Sequence, residues 1–332
     1  MQTSESFSRS SIFWPKYHDD GAAVTAVAVG PEGSVYVLHR TDRAFSGDAA
    51  LIAEPVIVRL DADTGDVLAS FGASMFASPH GMSVSRDGTI WVADTTLNTI
   101  THLDQRGNLI RRYGDQYPFY LEPLLRLRNV FPRLPIPMTD TTFARPTDVT
   151  PLANGAFAVT DGYRNSRLAV FDQDGNLVWQ VNRHGSDLGE FHLPHGIGSD
   201  DQGRVYVADR RNARVQVFDA DGSLSDVIEG SQIGRPFGVE IGQDGCIYVA
   251  DGGDGLDVAG EQVQQGTRAG FAVLGDDGQP KLHSDAANFG QPQFWLPHDI
   301  AVGRDGRVYI ADTYAKRVVV VDISTVCHDE AK

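Results

Sequence analysis

Hydrophobic and polar positions alternate along most of this 332-residue chain in short runs that repeat one template. Each repeat has a short apolar strand, a turn with Asp-Gly or a similar pair, and a second aliphatic and aromatic strand that mostly ends in Ala-Asp. Alternation with period two predicts the strands, and the Asn-Gly and Asp-Gly pairs predict the turns. Six segments fit the template: "VTAVAVGPEGSVYVLHR", "SPHGMSVSRDGTIWVAD", "RPTDVTPLANGAFAVTD", "LPHGIGSDDQGRVYVAD", "RPFGVEIGQDGCIYVAD" and "LPHDIAVGRDGRVYIAD".

A third strand follows the segments, as in "SRLAVFDQDG", and often a fourth, as in "NLVWQV". Six four-stranded antiparallel units in tandem predict an all-β, six-bladed β-propeller that forms a single domain over residues 1–332. The last unit shows three strands, so we expect a strand within residues 11–18 to complete it and close the ring, which removes an open sheet edge. The pattern resembles the NHL repeat family. We expect the blades to start near residues 24, 78, 144, 193, 235 and 296.

Two segments interrupt the repeat. Residues 115–143 form a long, Pro-rich and apolar connection between the second and third units. This insert is interpreted as a lid or partner surface, or equally as an ordinary packed surface loop. Residues 252–266 are Gly-rich and interrupt the fifth unit, where a flexible loop at one face is expected.

The charge balance and the termini narrow the classes of partner. With 44 acidic and 28 basic residues the net charge is −16, which argues against nucleic acid and anionic membrane partners and suits a small polar substrate. No apolar stretch is long enough to span a bilayer. The polar N-terminus predicts a cytoplasmic protein, or a secreted one if a leader has been removed, and we expect a monomer. Two cysteines exclude a disulfide framework and a cysteine-based zinc site.

The candidate chemistry lies at one position of the repeat. We call the residues fourteen places before the end of each second strand the ring positions, because the first strands of a propeller line its central channel. Histidine fills the second, fourth and sixth of them, although the chain has only 10 histidines. The six ring positions are Thr25, His80, Thr147, His195, Phe237 and His298.

Alternate blades of six are related by 120°, so His80, His195 and His298 should converge with three-fold symmetry. Three histidines with a fourth position open are typical of a catalytic zinc site. The alternative for each histidine is a hydrogen bond to channel water or backbone.

Polar residues follow the second strands at the same mouth of the channel. Arg40 and Arg210 occupy this position in the first and fourth units, and Tyr163 lies one residue further on in the third. A guanidinium binds a carboxylate through two parallel hydrogen bonds, so the set predicts a substrate with a carboxylate. Each residue taken alone could equally be a surface cation or a packed aromatic side chain.

Three Pro-His motifs on alternate repeats, together with "VLHRTD", "VTDGYRNSR" and "VADRRNARVQ", resemble the peptidyl-α-hydroxyglycine α-amidating lyases. The resemblance covers roughly residues 24–324. It implies a six-bladed propeller that cleaves a peptidyl-α-hydroxyglycine to a peptide amide and glyoxylate. The residues it implies are zinc ligands at His80, His195 and His298, catalytic Tyr163, Arg40 and Arg210, and a structural calcium on the carbonyls of Val27 and Met82 and the carboxylate of Asp299.

The implied reaction is carbon–nitrogen lyase chemistry, with Tyr163 as general base and Arg40 on the substrate carboxylate. Peptidyl-hydroxyglycine, ureidoglycolate and other hydroxylated amides all present the same reacting group. Two other functions stay open at this point. One is a calcium-dependent propeller hydrolase of the lactonase or esterase kind, and the other is a non-catalytic NHL interaction module. The negative charge argues against a module that binds RNA.

Overall fold

Twenty-four strands form six four-stranded antiparallel sheets, which are the blades of a six-bladed β-propeller, as predicted. The protein is described here from a computed structural model. It describes residues 10–15, 22–41, 47–115, 117, 119–128, 130–131, 133–253, 269–284 and 293–323.

Blades 1 to 3 each contain four strands in chain order, and the first strand of each lies innermost. Their bounds are β2 Val24–Val29, β3 Val35–His39, β4 Ile57–Leu60 and β5 Val67–Phe71 in blade 1; β6 Pro79–Val84, β7 Ile90–Asp94, β8 Thr99–Leu103 and β9 Leu109–Tyr113 in blade 2; and β10 Asp148–Pro151, β11 Phe157–Asp161, β12 Arg167–Phe171 and β13 Leu177–Asn182 in blade 3.

Blades 4 and 5 repeat this order, whereas blade 6 takes its outer strand from the N-terminus. Their bounds are β14 Pro194–Ser199, β15 Val205–Asp209, β16 Arg214–Phe218 and β17 Leu224–Glu229 in blade 4; β18 Pro236–Ile241, β19 Ile247–Asp251, β20 Gly270–Leu274 and β21 Pro280–Ser284 in blade 5; and β22 Pro297–Val302, β23 Arg307–Asp312, β24 Arg317–Asp322 and β1 Ser10–Trp14 in blade 6.

The N-terminal strand closes the ring. β1 pairs antiparallel with β24, with Ser10 opposite Val321 and Ile12 opposite Val319. The predicted closing strand is therefore confirmed, and its described part begins one residue earlier than the predicted range. Without it, the backbone donors and acceptors of β24 would form an open edge.

The hydrophobic core is divided into layers between neighbouring blades. Six buried clusters lie one between each consecutive pair of blades, including the pair formed by blades 6 and 1. In the last of these, Phe13 of β1 packs edge-on against Tyr309 of β23, with ring centroids 5.0 Å apart. Inner strands are buried because both of their faces meet a neighbouring blade, whereas outer strands such as β9 are mostly exposed.

The Ala-Asp end of the repeat fixes the chain that leads into each inner strand. In blades 2 to 6 the aspartate carboxylate accepts a hydrogen bond from a backbone N–H shortly before the ring position. Examples are Ala77 N to Asp94 at 2.7 Å and Leu296 N to Asp312 at 2.8 Å. Blade 1 has His39 at this position. The three carboxylates that complete the set are those of Asp161, Asp209 and Asp251.

The insert at residues 115–143 packs part of its length on the propeller. It contains a 3₁₀ turn at Phe119–Leu121 and a short helix, α1, at Glu122–Leu127. Leu121 and Leu125 are buried against Ala144, whereas Val130 and Phe131 are exposed. The second predicted interruption lies mostly outside the described residues, which resume at residue 269. In the part of the chain that is described, no helix has the length and apolar character to cross a membrane.

Candidate metal centre and active site

The ring positions lie around one small cavity at an end of the channel. The tandem inner strands place them there, because each ring residue is at the start of its strand. Glycines follow His80 and His195 and let the inner strands lie close together: a side chain at Gly81 would collide with the carboxylate of Asp148. The cavity is lined by Thr25, His80, Gly81, Thr147, Asp148, His195, Gly196, Phe237, His298 and Asp299.

His80, His195 and His298 converge in this cavity. All three are buried, and one nitrogen from each ring lies within 4.8 Å of those of the other two. Their ring centroids are 4.6 to 4.9 Å apart, and the rings are steeply inclined to one another. Among the described residues this is the one group of three or more metal-ligating side chains whose ligand atoms lie so close together.

The backbone fixes the tautomer of each histidine. Nδ1 of His80 lies 2.8 Å from the carbonyl oxygen of Thr147. In the same way Nδ1 of His195 lies 2.8 Å from the oxygen of Phe237, and Nδ1 of His298 lies 2.7 Å from that of Thr25. A carbonyl only accepts, so each Nδ1 carries the proton and each Nε2 presents a lone pair. Nitrogen ligands held by hydrogen bonds on their other ring atom suit a metal such as zinc.

Burial also keeps the three rings neutral. It lowers the pKa of His80 and His195 well below the usual value, with repulsion from His298 as the next cause. Burial, with Arg40 second, lowers the pKa of His298 to about 3. Since only a neutral imidazole can donate a lone pair to a metal, the site is in its binding form across the neutral pH range.

The phenol of Tyr163 lies beside the free nitrogens. Its hydroxyl is 2.9 Å from Nε2 of His80, to which it donates, and 3.5 Å from Nε2 of His195. Tyr163 follows β11 directly after Gly162, and a side chain at Gly162 would overlap the carbonyl oxygen of Pro194. Glycine there lets the chain bring Tyr163 against blade 4. Burial raises the pKa of Tyr163, and the guanidinium groups of Arg210 and Arg40 act in the opposite direction.

Arg40 and Arg210 face this phenol from blades 1 and 4. Arg40 is buried directly after β3, and burial lowers its pKa, with Tyr163 as the largest opposing influence. Arg210 begins a 3₁₀ turn after β15, and its guanidinium carbon lies 3.8 Å from the centroid of the Phe237 ring. Burial lowers the pKa of Arg210 to about 10, so it is still a cation at neutral pH.

The structure adds residues that the sequence reasoning missed. The charge of Arg145 lowers the pKa of Tyr163. Arg211 and Arg235 lower the pKa of Arg210, and Tyr314 raises the pKa of both Tyr163 and Arg210. The repeat carried a signal for them. Arg145 and Arg235 each lie two residues before a ring position, and Tyr314 has the place in blade 6 that Tyr163 has in blade 3.

One layer below the histidines the channel is acidic. Oδ2 of Asp299 accepts a hydrogen bond from Val27 N at 3.0 Å, and Oδ2 of Asp148, on the opposite blade, accepts one from Ile197 N at 3.1 Å. Burial raises the pKa of Asp299 to about 7 and, with Asp299 second, raises that of Asp148 well above its usual value. The side chains of Val27 and Met82 lie in the core, so a cation here would meet their backbone atoms. The calcium site stays a prediction, and Asp148 was not part of it.

Sequence comparison identifies the repeat and the relatives. The NHL repeat family matches residues 191–218 and 294–321. Peptidyl-glycine α-amidating monooxygenase B of Xenopus laevis is 30% identical over 331 residues, which cover 92% of this chain and 34% of that protein. A probable peptidyl-α-hydroxyglycine α-amidating lyase of Caenorhabditis elegans is 26% identical and is matched over 89% of this chain and 81% of its own length.

Comparison with solved structures supports the architecture alone. A gluconolactonase of Xanthomonas campestris aligns over 95% of this chain and 89% of its own with a TM-score of 0.60 and 15% identity. Fold and repeat together define the chain as an NHL-repeat β-propeller with a histidine-lined channel mouth. Within that class its sequence is similar to proteins named as peptidyl-α-hydroxyglycine α-amidating lyases, at 26 to 28% identity over 88 to 92% of this chain. The chain spans about a third of the length of the first curated relatives it matches, with 34% of the Xenopus protein covered.

Proposed function

We propose that the protein is a zinc-dependent carbon–nitrogen lyase that cleaves an N-acyl α-hydroxyglycine to an amide and glyoxylate. The observation that carries this proposal is the position of the Tyr163 hydroxyl, 2.9 Å from Nε2 of His80, beside three converging neutral imidazoles. A base beside a cationic centre is the arrangement that removal of a hydroxyl proton requires. Relatives named as amidating lyases support the reaction class.

The three Nε2 atoms of His80, His195 and His298 would hold the zinc. When bound, the ion would supply Lewis acidity that lowers the pKa of a nearby hydroxyl. The protein's own contribution is to keep the imidazoles neutral and their Nδ1–H groups tied to backbone carbonyls. Three ligands from three blades leave room for substrate on the side where Tyr163 lies.

Tyr163 would take the proton from the carbinol hydroxyl. Tyr163 must be ionised to accept that proton, and Arg210 and Arg40 favour this tyrosinate form, because both cations oppose the effect of burial on the Tyr163 pKa. As the C=O bond of glyoxylate forms, the C–N bond breaks, its electron pair leaves with the amide nitrogen, and that nitrogen takes up the proton that Tyr163 has accepted. No water is consumed. Arg40 would hold the substrate carboxylate, since a guanidinium can bind it through two parallel hydrogen bonds.

Replacing Tyr163 by Phe tests this assignment. The variant keeps the ring and removes the hydroxyl, so we expect glyoxylate release from α-hydroxyhippurate to fall about 10²- to 10⁴-fold. Zinc content, measured on the purified protein, should stay near one ion per chain, because no ligand nitrogen is removed. Full activity in Tyr163→Phe, or wild-type protein that binds zinc and releases no glyoxylate from any N-acyl hydroxyglycine, would contradict the proposal.

We also propose a structural calcium ion in the layer below, held by the carbonyls of Val27 and Met82 and the carboxylate of Asp299. Oxygen ligands suit calcium. The raised pKa values of Asp299 and Asp148 support the idea that a bound cation would stabilise this layer.

A further inference from the structure

Two exposed aromatic side chains stand together at the mouth of the site. Trp295 is 56% exposed and Tyr314 is 43% exposed. Their ring centroids are 6.0 Å apart and their planes are inclined by 55°. Large apolar groups exposed as a pair beside a polar cavity are typical of a surface that binds a ligand.

The backbone beneath this pair is tightly held. Trp295 N and Leu296 N both donate to the carboxylate of Asp312, at 3.0 and 2.8 Å, and Thr313 N donates to the carbonyl of Leu296 at 3.0 Å. Pro297 pairs with Asp312 at the end of the β22–β23 hairpin. The backbone is therefore fixed on both sides of the pair. Trp295 lies three residues before His298, and Tyr314 lies two residues after Asp312.

Tyr314 also borders the reacting groups. Its phenol raises the pKa of Arg40 and Arg210, and it opposes ionisation of Tyr163, so it lies within electrostatic reach of all three. Tyr163 occupies the corresponding place in blade 3, but its hydroxyl lies 2.9 Å from Nε2 of His80 at the candidate metal centre. The two tyrosines thus mark the inner and outer ends of one site, with Trp295 beyond Tyr314 toward solvent.

The direction of the substrate follows from this arrangement. Its carboxylate and carbinol carbon must lie at the histidines and arginines, so the acyl group on nitrogen has to extend through the mouth toward solvent. We propose that Trp295 and Tyr314 form a subsite for that acyl group and select an apolar or aromatic one. The subsite rests on the proposed function for its place in catalysis. Aromatic groups stack favourably on such rings in offset or edge-on geometry.

The test compares two substrates that differ only in the acyl group, α-hydroxyhippurate with a benzoyl group and N-acetyl-α-hydroxyglycine. Trp295→Ala and Tyr314→Ala should raise the KM for α-hydroxyhippurate about tenfold, with kcat within about twofold. The KM for the acetyl substrate should change little. Tyr314→Phe keeps the ring and should keep the wild-type KM for both substrates. Tyr120→Ala removes another exposed tyrosine, from the insert, and serves as the matched control.

Equal changes for both substrates, or none for either, would overturn the subsite. A loss of kcat in Tyr314→Phe would also overturn it, because Tyr314 would then act through its hydroxyl. Binding of hippurate and N-acetylglycine, measured by calorimetry, separates this inference from the proposed function. These ligands have the same acyl group and the same carboxylate as the two substrates but lack the hydroxyl that reacts. Wild-type protein should prefer hippurate about tenfold and Trp295→Ala should lose that preference, even if no substrate were turned over.

Discussion

Each histidine of the candidate metal centre is oriented by a backbone atom. The carbonyls that accept from Nδ1 belong to Thr147, Phe237 and Thr25, which are the ring positions between the histidines. Because the bond uses the backbone, the side chains at these three positions are free for other contacts. Phe237 uses this freedom by placing its ring 3.8 Å from the guanidinium carbon of Arg210.

Replacing Phe237 by Leu separates these two contacts. The backbone carbonyl that orients His195 is retained, whereas the cation–π contact with Arg210 is lost. Such a contact contributes about 1 to 2 kcal/mol when desolvated, so we expect kcat/KM for glyoxylate release to fall about 5- to 30-fold. Zinc content should be unchanged by metal analysis. Loss of zinc, or an unchanged kcat/KM, would show that Phe237 does not act by positioning Arg210.

At the scale of single elements, local sequence patterns predicted most of the strands and turns. Strand alternation and Asp-Gly turns depend on neighbouring residues, and the strand bounds follow the repeat closely. The aspartate that ends each second strand was visible as part of the template, but its role was not. That role depends on a bond such as Leu296 N to Asp312, which joins residues 16 apart. The role of Asp148 in the channel could not be predicted from the sequence for a similar reason. The backbone N–H that donates to its carboxylate belongs to Ile197, in the next blade.

The closing strand offers a test at this scale. Phe13 is buried in the cluster between blades 6 and 1, whereas its neighbour Ile12 is exposed. Phe13→Ala should lower the free energy of unfolding by about 3 to 5 kcal/mol, because it leaves a cavity beside Tyr309. Ile12→Ala, on the same strand, should change it by less than about 1 kcal/mol. Urea denaturation measures both, and equal small losses would mean that β1 contributes little to closure.

Over the whole molecule, charge is distributed unevenly. The chain carries a net charge of −16, yet Arg40, Arg145 and Arg210 lie around the half-buried phenol of Tyr163 at the mouth, and Arg235 lies near Arg210. A cationic mouth on an acidic protein concentrates the field where an anionic substrate would enter. The histidine ring was predictable because one repeat position holds all three residues. The surrounding charges were harder to predict, since their effect depends on distances that span several blades.

The acidic layer of the channel should make stability depend on pH. Burial, with Asp299 as the second cause, raises the pKa of Glu240 to about 8. The folded state therefore retains a proton that the unfolded chain loses above its ordinary pKa, so the stabilisation present at low pH is lost as pH rises toward about 8. Metal-free protein should show a melting temperature that falls between about pH 5 and pH 8.

Glu240→Gln should make that fall smaller, because the amide stays neutral throughout, while Asp148 and Asp299 preserve part of it. Glu229→Gln, at an exposed position at the end of β17, should leave the profile unchanged. Calcium added to the metal-free protein should also flatten the profile if Asp299 binds it, since a bound cation favours the ionised carboxylate. Thermal unfolding at a series of pH values measures all three effects. A profile as steep in Glu240→Gln as in the wild type would rule out Glu240 as a source of the dependence.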